Sequence, residues 1–215
     1  DKESDAVIRK IILGNFPNHG IVSEESEPTE GEYVWYVDPI DGTTNYGRGS
    51  SYFCVSIALA QGKGLLVGVI YDPLTSELYS AIQGRGAFLD GKKINVSKAG
   101  ELQQAMILCD LGYIEEKRRT TLRIIGALSA ARGIRLKGSG ALAMCEIASG
   151  HAEGYIHIGS KPWDYSAATL ILREAGGVVT DLKGADWLPE ITSGIIASNK
   201  ALAKELLENV RGIVG

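Results

Sequence analysis

The sequence predicts a mixed α/β fold in which sheets and helices are stacked in layers. In its first half, short runs of β-branched and aromatic residues are separated by Gly, Pro, Asp and Ser, which is typical of strands joined by turns. In its second half, segments with apolar residues at helical spacing alternate with short apolar runs. Because no repeat or linker divides the chain, we expect a single unit over residues 1–215, with an N-terminal half (1 to about 105) and a C-terminal half (about 106 to 215).

The N-terminal half is predicted to contain one helix followed by five strands. Apolar residues at helical spacing indicate a helix over residues 3–14. The strand-like runs lie at residues 21–22, 33–37, 52–60, 65–71 and 77–82. Short turn segments between the last three favour antiparallel pairing over crossover connections. Since the chain starts within a helix and no Met precedes Asp1, we also expect that the N-terminus is incomplete.

The C-terminal half is predicted to alternate strands with helices. The predicted strands are residues 106–109, 154–158, 178–181 and 194–198, and the predicted helices are residues 115–131, 141–149, 164–175 and 200–210. Helices interspersed with strands in this way are expected to pack against the faces of a sheet.

Charge and composition exclude several classes of function. The 22 basic and 26 acidic side chains give a net charge of −4, which is not the basic surface that nucleic acid or anionic lipid requires. The apolar runs are far shorter than the roughly 18 residues of a membrane span. Cys54, Cys109 and Cys145 lack metal-site or disulfide spacing, so we expect buried, reduced thiols and a cytoplasmic protein.

The most informative string is Asp-Pro-Ile-Asp-Gly-Thr-Thr-Asn at residues 38–45. An apolar strand is predicted to end at Asp38, and Asp41-Gly42 is typical of a turn. Two carboxylates around such a turn can point with the Ile40 carbonyl at one hard cation, while the amides after Gly42 receive an anion. Taken alone, the string fits equally well a simple turn into a helix whose N-cap is Thr43 or the next threonine.

Two further acidic segments are ambiguous by themselves. Asp164, in Pro-Trp-Asp, precedes a predicted amphipathic helix that ends at Gly176-Gly177, so it fits a helix-capping acid. Glu24 lies in Ser-Glu-Glu-Ser directly after a predicted strand, where a solvated acidic loop is the simplest interpretation.

Together the three segments resemble the inositol monophosphatase family, whose superfamily also contains fructose-1,6-bisphosphatases and bisphosphate nucleotidases. The resemblance lies in the string at 38–45, in Trp-Asp at 163–164 followed by Ala-Gly-Gly at 175–177, and in Glu-Glu-Ser at 24–26, and it extends over the whole chain. It implies a layered αβαβα sandwich with two sheets, the sugar-phosphatase fold, and a homodimer.

The resemblance also implies a site for two or three Mg²⁺ ions. The implied metal ligands are Glu24, Asp38, the Ile40 carbonyl, Asp41 and Asp164. The implied catalytic residues are Glu24, Asp38 and Thr43, and the implied substrate-binding residues are Gly42, Thr43, Thr44, Gly140, Ala141 and His157. Cations would also explain the acids, because carboxylates about 5 Å apart repel by roughly 3 kcal/mol per pair at an effective dielectric of 20.

The expected function is Mg²⁺-dependent hydrolysis of a small cyclitol or sugar phosphate by an activated water, with inositol 1-phosphate as the leading substrate. His157 lies where the family often has an acidic residue that binds inositol hydroxyls, which puts that specificity in doubt. Fructose 1,6-bisphosphate is the main alternative, and the basic run at 117–119 is a candidate contact for its second phosphate or simply a helix surface. A 3′-phosphonucleotidase, a non-catalytic regulatory member and a sugar-phosphate binding protein are further alternatives.

Overall fold

A computed structural model describes residues 1–214 and contains two mixed sheets. The first sheet has seven strands in sequence order: β1 (Gly20–Ser23), β2 (Tyr33–Asp41), β3 (Cys54–Gln61), β4 (Gly64–Asp72), β5 (Glu77–Ile82), β6 (Ala87–Leu89) and β7 (Lys92–Ile94). β1 and β2 are parallel, and all other neighbours are antiparallel. The expected antiparallel pairing of β3, β4 and β5 is therefore confirmed.

The second sheet has five strands in the order β11-β12-β10-β8-β9. These are β8 (Met106–Cys109), β9 (Gly133–Leu136), β10 (Gly154–Ile158), β11 (Val178–Thr180) and β12 (Gly194–Ser198). β8 is parallel to both β9 and β10, whereas β12 is antiparallel to both β10 and β11.

Within residues 1–214, six helices accompany the sheets. They are α1 (Lys2–Asn15), α2 (Thr43–Gly47), α3 (Glu115–Ala127), α4 (Gly140–Ala148), α5 (Pro162–Glu174) and α6 (Ala203–Val214), with a short 3₁₀ turn at Leu102–Gln104. The prediction that the third of these helices extends to residue 131 is wrong, because it ends at Ala127 and the chain turns into edge strand β9. α6 begins and ends a few residues later than predicted.

The layers follow the order helix, sheet, helix, sheet, helix. α1 packs on β2 at the outer face of the first sheet, α4 and α5 lie between the sheets, and α3 and α6 cover the second sheet. The predicted αβαβα sandwich is thus confirmed. The middle layer is largely shielded from solvent, since eight of the nine residues of α4 are buried. Burial of apolar surface is the main term that stabilises a fold.

Close packing of α5 on the first sheet brings the start of this helix next to β2. At Gly68 in β4, a Cβ atom would lie 2.7 Å from the carbonyl oxygen of Ala167, so only glycine allows this approach. Ala167 and Ala168 are buried, and their small side chains suit this close packing. Asp164, in the first turn of α5, is consequently held near the end of β2.

Two further features concern the cysteines and membrane-spanning potential. The three cysteines are free and buried, as the sequence predicts. Within residues 1–214, none of the helices combines the length and apolarity needed to cross a lipid bilayer.

Candidate active site

Four acidic residues reach one site from three elements. Glu24 follows β1, Asp38 and Asp41 belong to β2, and Asp164 lies in the first turn of α5. Because β1 and β2 are parallel neighbours, their carboxyl ends meet at the same edge, and the Glu24 amide donates to the Val37 carbonyl at 3.3 Å. These four acids form the acidic cluster.

A bulge in β2 explains why Asp38 and Asp41 point to the same side. Asp38 pairs with Ser56 and Asp41 pairs with Cys54, so three steps along β2 match two steps along β3. One extra residue in an antiparallel strand is a β-bulge, and it offsets the normal alternation of side chains between faces. The strand therefore continues to Asp41, and the prediction that it ends at Asp38 is wrong.

The N-terminus of α4 holds Asp41. One carboxylate oxygen of Asp41 accepts hydrogen bonds from the Ser139 hydroxyl at 2.5 Å and from the Ala141 amide at 2.8 Å. Ala141 is fully buried and its backbone amide supports Asp41, while its expected role as a substrate contact stays a prediction. Ser139 was missed by the sequence analysis, although a serine before an apolar helix is a recognisable N-cap.

The other two aspartates are also tied to the backbone. Asp38, which is 2% exposed, accepts a hydrogen bond from the Ile40 amide at 3.0 Å. Asp164 accepts one from the Lys161 amide at 2.9 Å, so it does cap α5 as one of the two interpretations predicted. Capping engages one oxygen of each carboxylate, which is compatible with a second role for the other oxygen.

The electrostatics of the cluster favour a bound cation. Burial raises the pKa of Asp41 to about 6 and, with the nearby charge of Asp41, that of Asp164 to about 7. Burial and then the charges of the other three acids raise the pKa of Asp38 well above its usual range. Burial and the neighbouring Glu25 raise the pKa of Glu24. Each acid therefore resists ionisation in its present surroundings.

Oxygen-rich donors of this kind suit Mg²⁺ or Ca²⁺ rather than a softer metal. Within residues 1–214, no three acidic, histidine or cysteine side chains converge closely enough to enclose an ion as they stand. Ionised carboxylates repel one another, and a divalent cation would offset that repulsion.

Gly42 shapes the loop after β2. Its φ of 96° lies in the left-handed region, and a Cβ atom there would lie 3.0 Å from the carbonyl oxygen of Tyr52 and 3.2 Å from that of Gly138. Only glycine fits both requirements. Gly42 itself is the N-cap of α2, so the prediction that a threonine takes this position is wrong.

The two threonines of this loop lie inside α2 and have different partners. The Thr43 hydroxyl donates to the Ile40 carbonyl at 3.1 Å. The Thr44 hydroxyl lies 2.6 Å from the Tyr113 hydroxyl, which links the loop to the segment after β8. Both side chains are exposed, so their hydroxyl oxygens remain accessible to water.

A cavity of about 550 Å³ contains the acidic cluster. Of the expected substrate-binding residues, Gly42, Thr43, Thr44, Gly140 and His157 line it. A Cβ atom at Gly140 would lie 2.6 Å from the Tyr165 ring, so the absence of a side chain lets this ring approach.

A second group of residues lines the same cavity and was missed by the sequence analysis, except for His157. The two oxygens of Asp110 accept hydrogen bonds from the Gly138 amide at 2.8 Å and from the Tyr155 hydroxyl at 2.9 Å. The Tyr155 and Tyr165 hydroxyls are 3.0 Å apart, and that of Tyr165 lies 2.9 Å from His157 Nδ1. Asp110, Tyr155, His157 and Tyr165 form the tyrosine–histidine cluster.

The parallel pairing of β8 with β10 is the information that would have predicted this cluster. Asp110 follows β8, and β8 is parallel to β10, which carries Tyr155 and His157. Residues at the carboxyl ends of adjacent parallel strands often share a site. This pairing becomes visible only when the strand order of the second sheet is known.

Two lysines complete the lining. Lys117 Nζ lies so close to Gly159 that a Cβ atom there would be 2.6 Å away, and Lys161 lies beside Asp164 with its ammonium over the Trp163 ring. From the predicted basic run, only Lys117 lines the cavity among the described residues, and Arg119 pairs instead with Glu115 at 2.6 Å.

Comparison with known proteins agrees with this architecture. The model of the inositol monophosphatase family matches residues 1–214. The Nus factor SuhB of Escherichia coli (strain K12) is 37% identical over 216 residues, which cover 98% of this chain and 80% of that protein. Inositol monophosphatase 1 of Solanum lycopersicum is 38% identical over 215 residues, covering 95% of this chain and 78% of that protein.

A solved structure extends the comparison to three dimensions. The inositol monophosphatase from Anabaena (Nostoc) sp. PCC 7120 has a TM-score of 0.93 and 35% sequence identity, and the match covers 99% of this chain and 86% of that chain. Fold, acidic cluster and relatives together support a phosphatase of a generally metal-dependent type: the chain belongs to the inositol monophosphatase family.

Proposed function

We propose that the protein is a Mg²⁺-dependent phosphomonoesterase that hydrolyses small cyclitol or sugar phosphates, with inositol 1-phosphate as its leading substrate. The acidic cluster carries this proposal, because four carboxylates with raised pKa values meet in a cavity large enough for a sugar phosphate. The name of the tomato relative supports the choice of substrate.

We assign the donors to two ions. Glu24, Asp38, Asp41 and the Ile40 carbonyl would hold the first, and Asp38, Asp41 and Asp164 would hold the second. When bound, such ions neutralise the charge of a phosphoryl group and lower the pKa of water, so that hydrolysis needs no covalent intermediate.

The protein supplies orientation and proton transfer. The amides of Gly42 and Thr43 would donate to phosphate oxygens at the cavity surface. Glu24 is more exposed than the three aspartates and has a raised pKa, so it would accept a proton from the attacking water. The Thr43 hydroxyl, whose hydrogen is directed at the Ile40 carbonyl, would accept a hydrogen bond from the same water and fix its position.

Fructose 1,6-bisphosphate is the second candidate substrate. Lys117 and Lys161 both line the cavity, and neither forms a salt bridge within the described chain. A second phosphate would supply the anion that these two ammonium groups lack.

A regulatory role is the second candidate function. The relative from Escherichia coli is named as a Nus factor and not as a phosphatase. This name is the observation that favours a regulatory role. The complete acidic cluster favours catalysis in this chain. A cytoplasmic location and a homodimer, which the composition and the resemblance imply, remain predictions; light scattering on the purified protein tests the second.

The test is phosphate release from inositol 1-phosphate, fructose 1,6-bisphosphate and a 3′-phosphonucleotide. Each would be measured with Mg²⁺, with a chelator, and in the Asp38→Asn variant. We expect a chelator-sensitive rate that falls by about a thousandfold in Asp38→Asn, since loss of a metal ligand removes several kcal/mol.

The matched control is Asp72→Asn. Asp72 is similarly buried but caps the turn before β5, where its carboxylate accepts from the Leu74 amide at 2.8 Å. Asp72→Asn should keep its activity. No release by the wild type from any of the three substrates would favour the regulatory alternative.

A further inference from the structure

The tyrosine–histidine cluster is a continuous chain of hydrogen bonds between two groups that line the cavity. It runs from Asp110 Oδ2 through the hydroxyls of Tyr155 and Tyr165 to His157 Nδ1, with successive distances of 2.9, 3.0 and 2.9 Å. Both tyrosines are almost completely buried. Water therefore does not compete for the hydrogen bonds of the two phenols. The groups at the two ends, Asp110 and His157, determine which partner donates in each hydrogen bond.

Counting protons restricts this order to two arrangements. Three hydrogen bonds need three hydrogens, and the two phenols supply only two of them. The third comes either from a protonated Nδ1 of His157 or from a protonated Asp110. If Asp110 is ionised, every phenol donates toward Asp110 and Nδ1 carries a proton. If Asp110 is neutral, every phenol donates toward His157 and Nδ1 is bare.

The surroundings of Asp110 favour the first arrangement. Its Oδ1 accepts from the Gly138 amide at 2.8 Å while its Oδ2 faces the Tyr155 hydroxyl. Burial raises the pKa of Asp110 overall, while its hydrogen bonds with Gly138 and Tyr155 oppose this rise because they stabilise the ionised carboxylate. A carboxylate with a backbone donor on one oxygen and a phenol on the other is suited to the ionised form.

The surroundings of His157 favour a neutral ring. Burial, and to a smaller extent the charge of Lys117, lower the pKa of His157, whereas a hydrogen bond between the ring and the Gly159 backbone raises it. A neutral imidazole with its proton on Nδ1 has a lone pair on Nε2.

Nε2 lies next to a gap that a glycine keeps open. A Cβ atom at Gly112 would be 3.3 Å from His157 Nε2, and the φ of Gly112 is +65°. Both residues line the cavity. The bare nitrogen is therefore placed where a substrate group can reach it.

We propose that Asp110 is a positioning residue that acts through Tyr155 and Tyr165 to keep the proton of His157 on Nδ1, so that Nε2 accepts a hydrogen bond from a substrate hydroxyl. The site would thus recognise the hydroxyls of a cyclitol or sugar through a neutral acceptor. This recognition step rests on the proposed function, whereas the proton order can be tested without any substrate.

The Asp110→Asn variant is expected to reverse the direction of the hydrogen bonds between residue 110 and His157. The Gly138 amide requires an oxygen at the Oδ1 position, so the asparagine NH₂ group takes the Oδ2 position and donates to Tyr155. Tyr155 must then donate to Tyr165, and Tyr165 to His157 Nδ1. The proton of the imidazole is expected to move to Nε2, which changes this nitrogen from an acceptor into a donor.

Nitrogen-15 NMR of histidine-labelled protein reads the tautomer directly. The chain has three histidines, so the His157→Gln variant assigns the signal. We expect protonated Nδ1 in the wild type and protonated Nε2 in Asp110→Asn. The Tyr155→Phe variant removes the hydroxyl that links Asp110 to Tyr165 but keeps the hydrogen bond between Tyr165 and His157. It should also lose the wild-type tautomer. A wild type protonated on Nε2, or a tautomer unchanged in both variants, would overturn the relay.

Kinetics test the recognition step. We expect the KM for inositol 1-phosphate, divided by the KM for hydroxyl-free phenyl phosphate, to rise about five- to tenfold in Asp110→Asn, as loss of one hydrogen bond predicts. The ratio cancels any general effect on the acidic cluster. Tyr79→Phe is the control, because it removes a buried hydroxyl bonded to Glu77 outside the cavity, and its ratio should not change.

The two proposals fail separately. A wild type that releases phosphate from none of inositol 1-phosphate, fructose 1,6-bisphosphate and phenyl phosphate would overturn the proposed function, while the spectra would still decide the proton order. A wild type that hydrolyses inositol 1-phosphate and phenyl phosphate, with an unchanged KM ratio in Asp110→Asn despite a moved proton, would overturn recognition through Nε2.

Discussion

The acidic cluster and the tyrosine–histidine cluster line one cavity but are held together in opposite ways. The acidic cluster gathers like charges whose pKa values are raised by burial and by one another, and its aspartates depend on backbone donors. The tyrosine–histidine cluster is a series of hydrogen bonds through two phenol hydroxyls, and in the proposed proton order it carries a single charge, at Asp110. The first arrangement is unfavourable without a cation, whereas the second is satisfied as it stands.

This difference assigns different tasks to the two clusters. In the proposed function, the carboxylates and their cations act on the phosphate, which all candidate substrates share. In the proposed recognition step, the tyrosine–histidine cluster discriminates among the hydroxyl groups in which the substrates differ, through hydrogen bonds that are each worth about 1 kcal/mol. Substitutions in the acidic cluster should therefore affect every substrate equally, and those in the other cluster should change preference.

The largest effect is expected from Asp164→Asn. Asparagine keeps an oxygen that can accept from the Lys161 amide, so α5 should stay capped while a metal ligand is weakened. We expect kcat/KM to fall about a thousandfold for every substrate in the panel. Asp181→Asn is the control, because Asp181 caps the Lys183 and Ala185 amides outside the cavity. Loss of activity toward one substrate only would contradict the division of tasks.

Stability of the metal-free protein should fall as pH rises. The pKa values of Asp41 and Asp164 are about 6 and about 7, both raised by burial from 3.8. Between pH 4 and 7 the folded state therefore binds more protons than the unfolded state, so the unfolding free energy decreases with pH. Below pH 4 this contribution is fully present, and above pH 7 it is lost.

Thermal unfolding at pH 5 and pH 8, with chelator and with Mg²⁺, measures this effect. We expect a loss on the order of 3 kcal/mol with chelator, since each pKa unit corresponds to about 1.4 kcal/mol and the two acids interact. Mg²⁺ should abolish most of it. An identical pH dependence with and without Mg²⁺ would argue against an ion in the acidic cluster.

The loop that follows β2 should tolerate no side chain at Gly42. Gly42→Ala combines a φ of 96° with a Cβ atom 3.0 Å from the Tyr52 carbonyl oxygen, and we expect a loss of about 1–3 kcal/mol in unfolding free energy. Gly49→Ala is the matched control, since Gly49 also has a positive φ (71°) but nothing within 4 Å of its Cβ position. Chemical denaturation of both variants separates the effect of the contact with the Tyr52 carbonyl oxygen from the effect of the positive φ. Equal losses of unfolding free energy would show that this contact is unimportant.

The sequence predicted the acidic cluster well because most of it is local. Asp38 and Asp41 belong to one short string, and a strand followed by a turn already brings them together. The sequence did not reveal the bulge that turns both to one face, because a bulge is defined by the partner strand β3. Resemblance to a known family supplied the link from this string to Glu24 and Asp164.

The tyrosine–histidine cluster could not be predicted because its residues are not close together in the sequence. Asp110 and Tyr165 are far from each other in the chain and meet through the pairing of β8 with β10 and the packing of α5 between the sheets. β6, β7 and β9 were missed because three or four residues are too few to show a period. The support that the Ala141 amide gives to Asp41 was also missed, because spacing alone does not show whether a residue acts through its backbone or its side chain.

The smallest effect is expected from Lys117→Met, which tests whether the lysines next to the tyrosine–histidine cluster bind a second phosphate. Lys117 lines the cavity but lies partly in solvent, so its charge should contribute less than 1 kcal/mol. We expect the KM for fructose 1,6-bisphosphate to rise about threefold to fivefold, with a smaller change for inositol 1-phosphate. Arg118→Met is the control, since Arg118 is the next residue of α3 and is exposed. If both substrates respond equally to Lys117→Met, the lysine acts through His157, whose pKa it lowers, and the preference for a second phosphate has to lie elsewhere in the cavity.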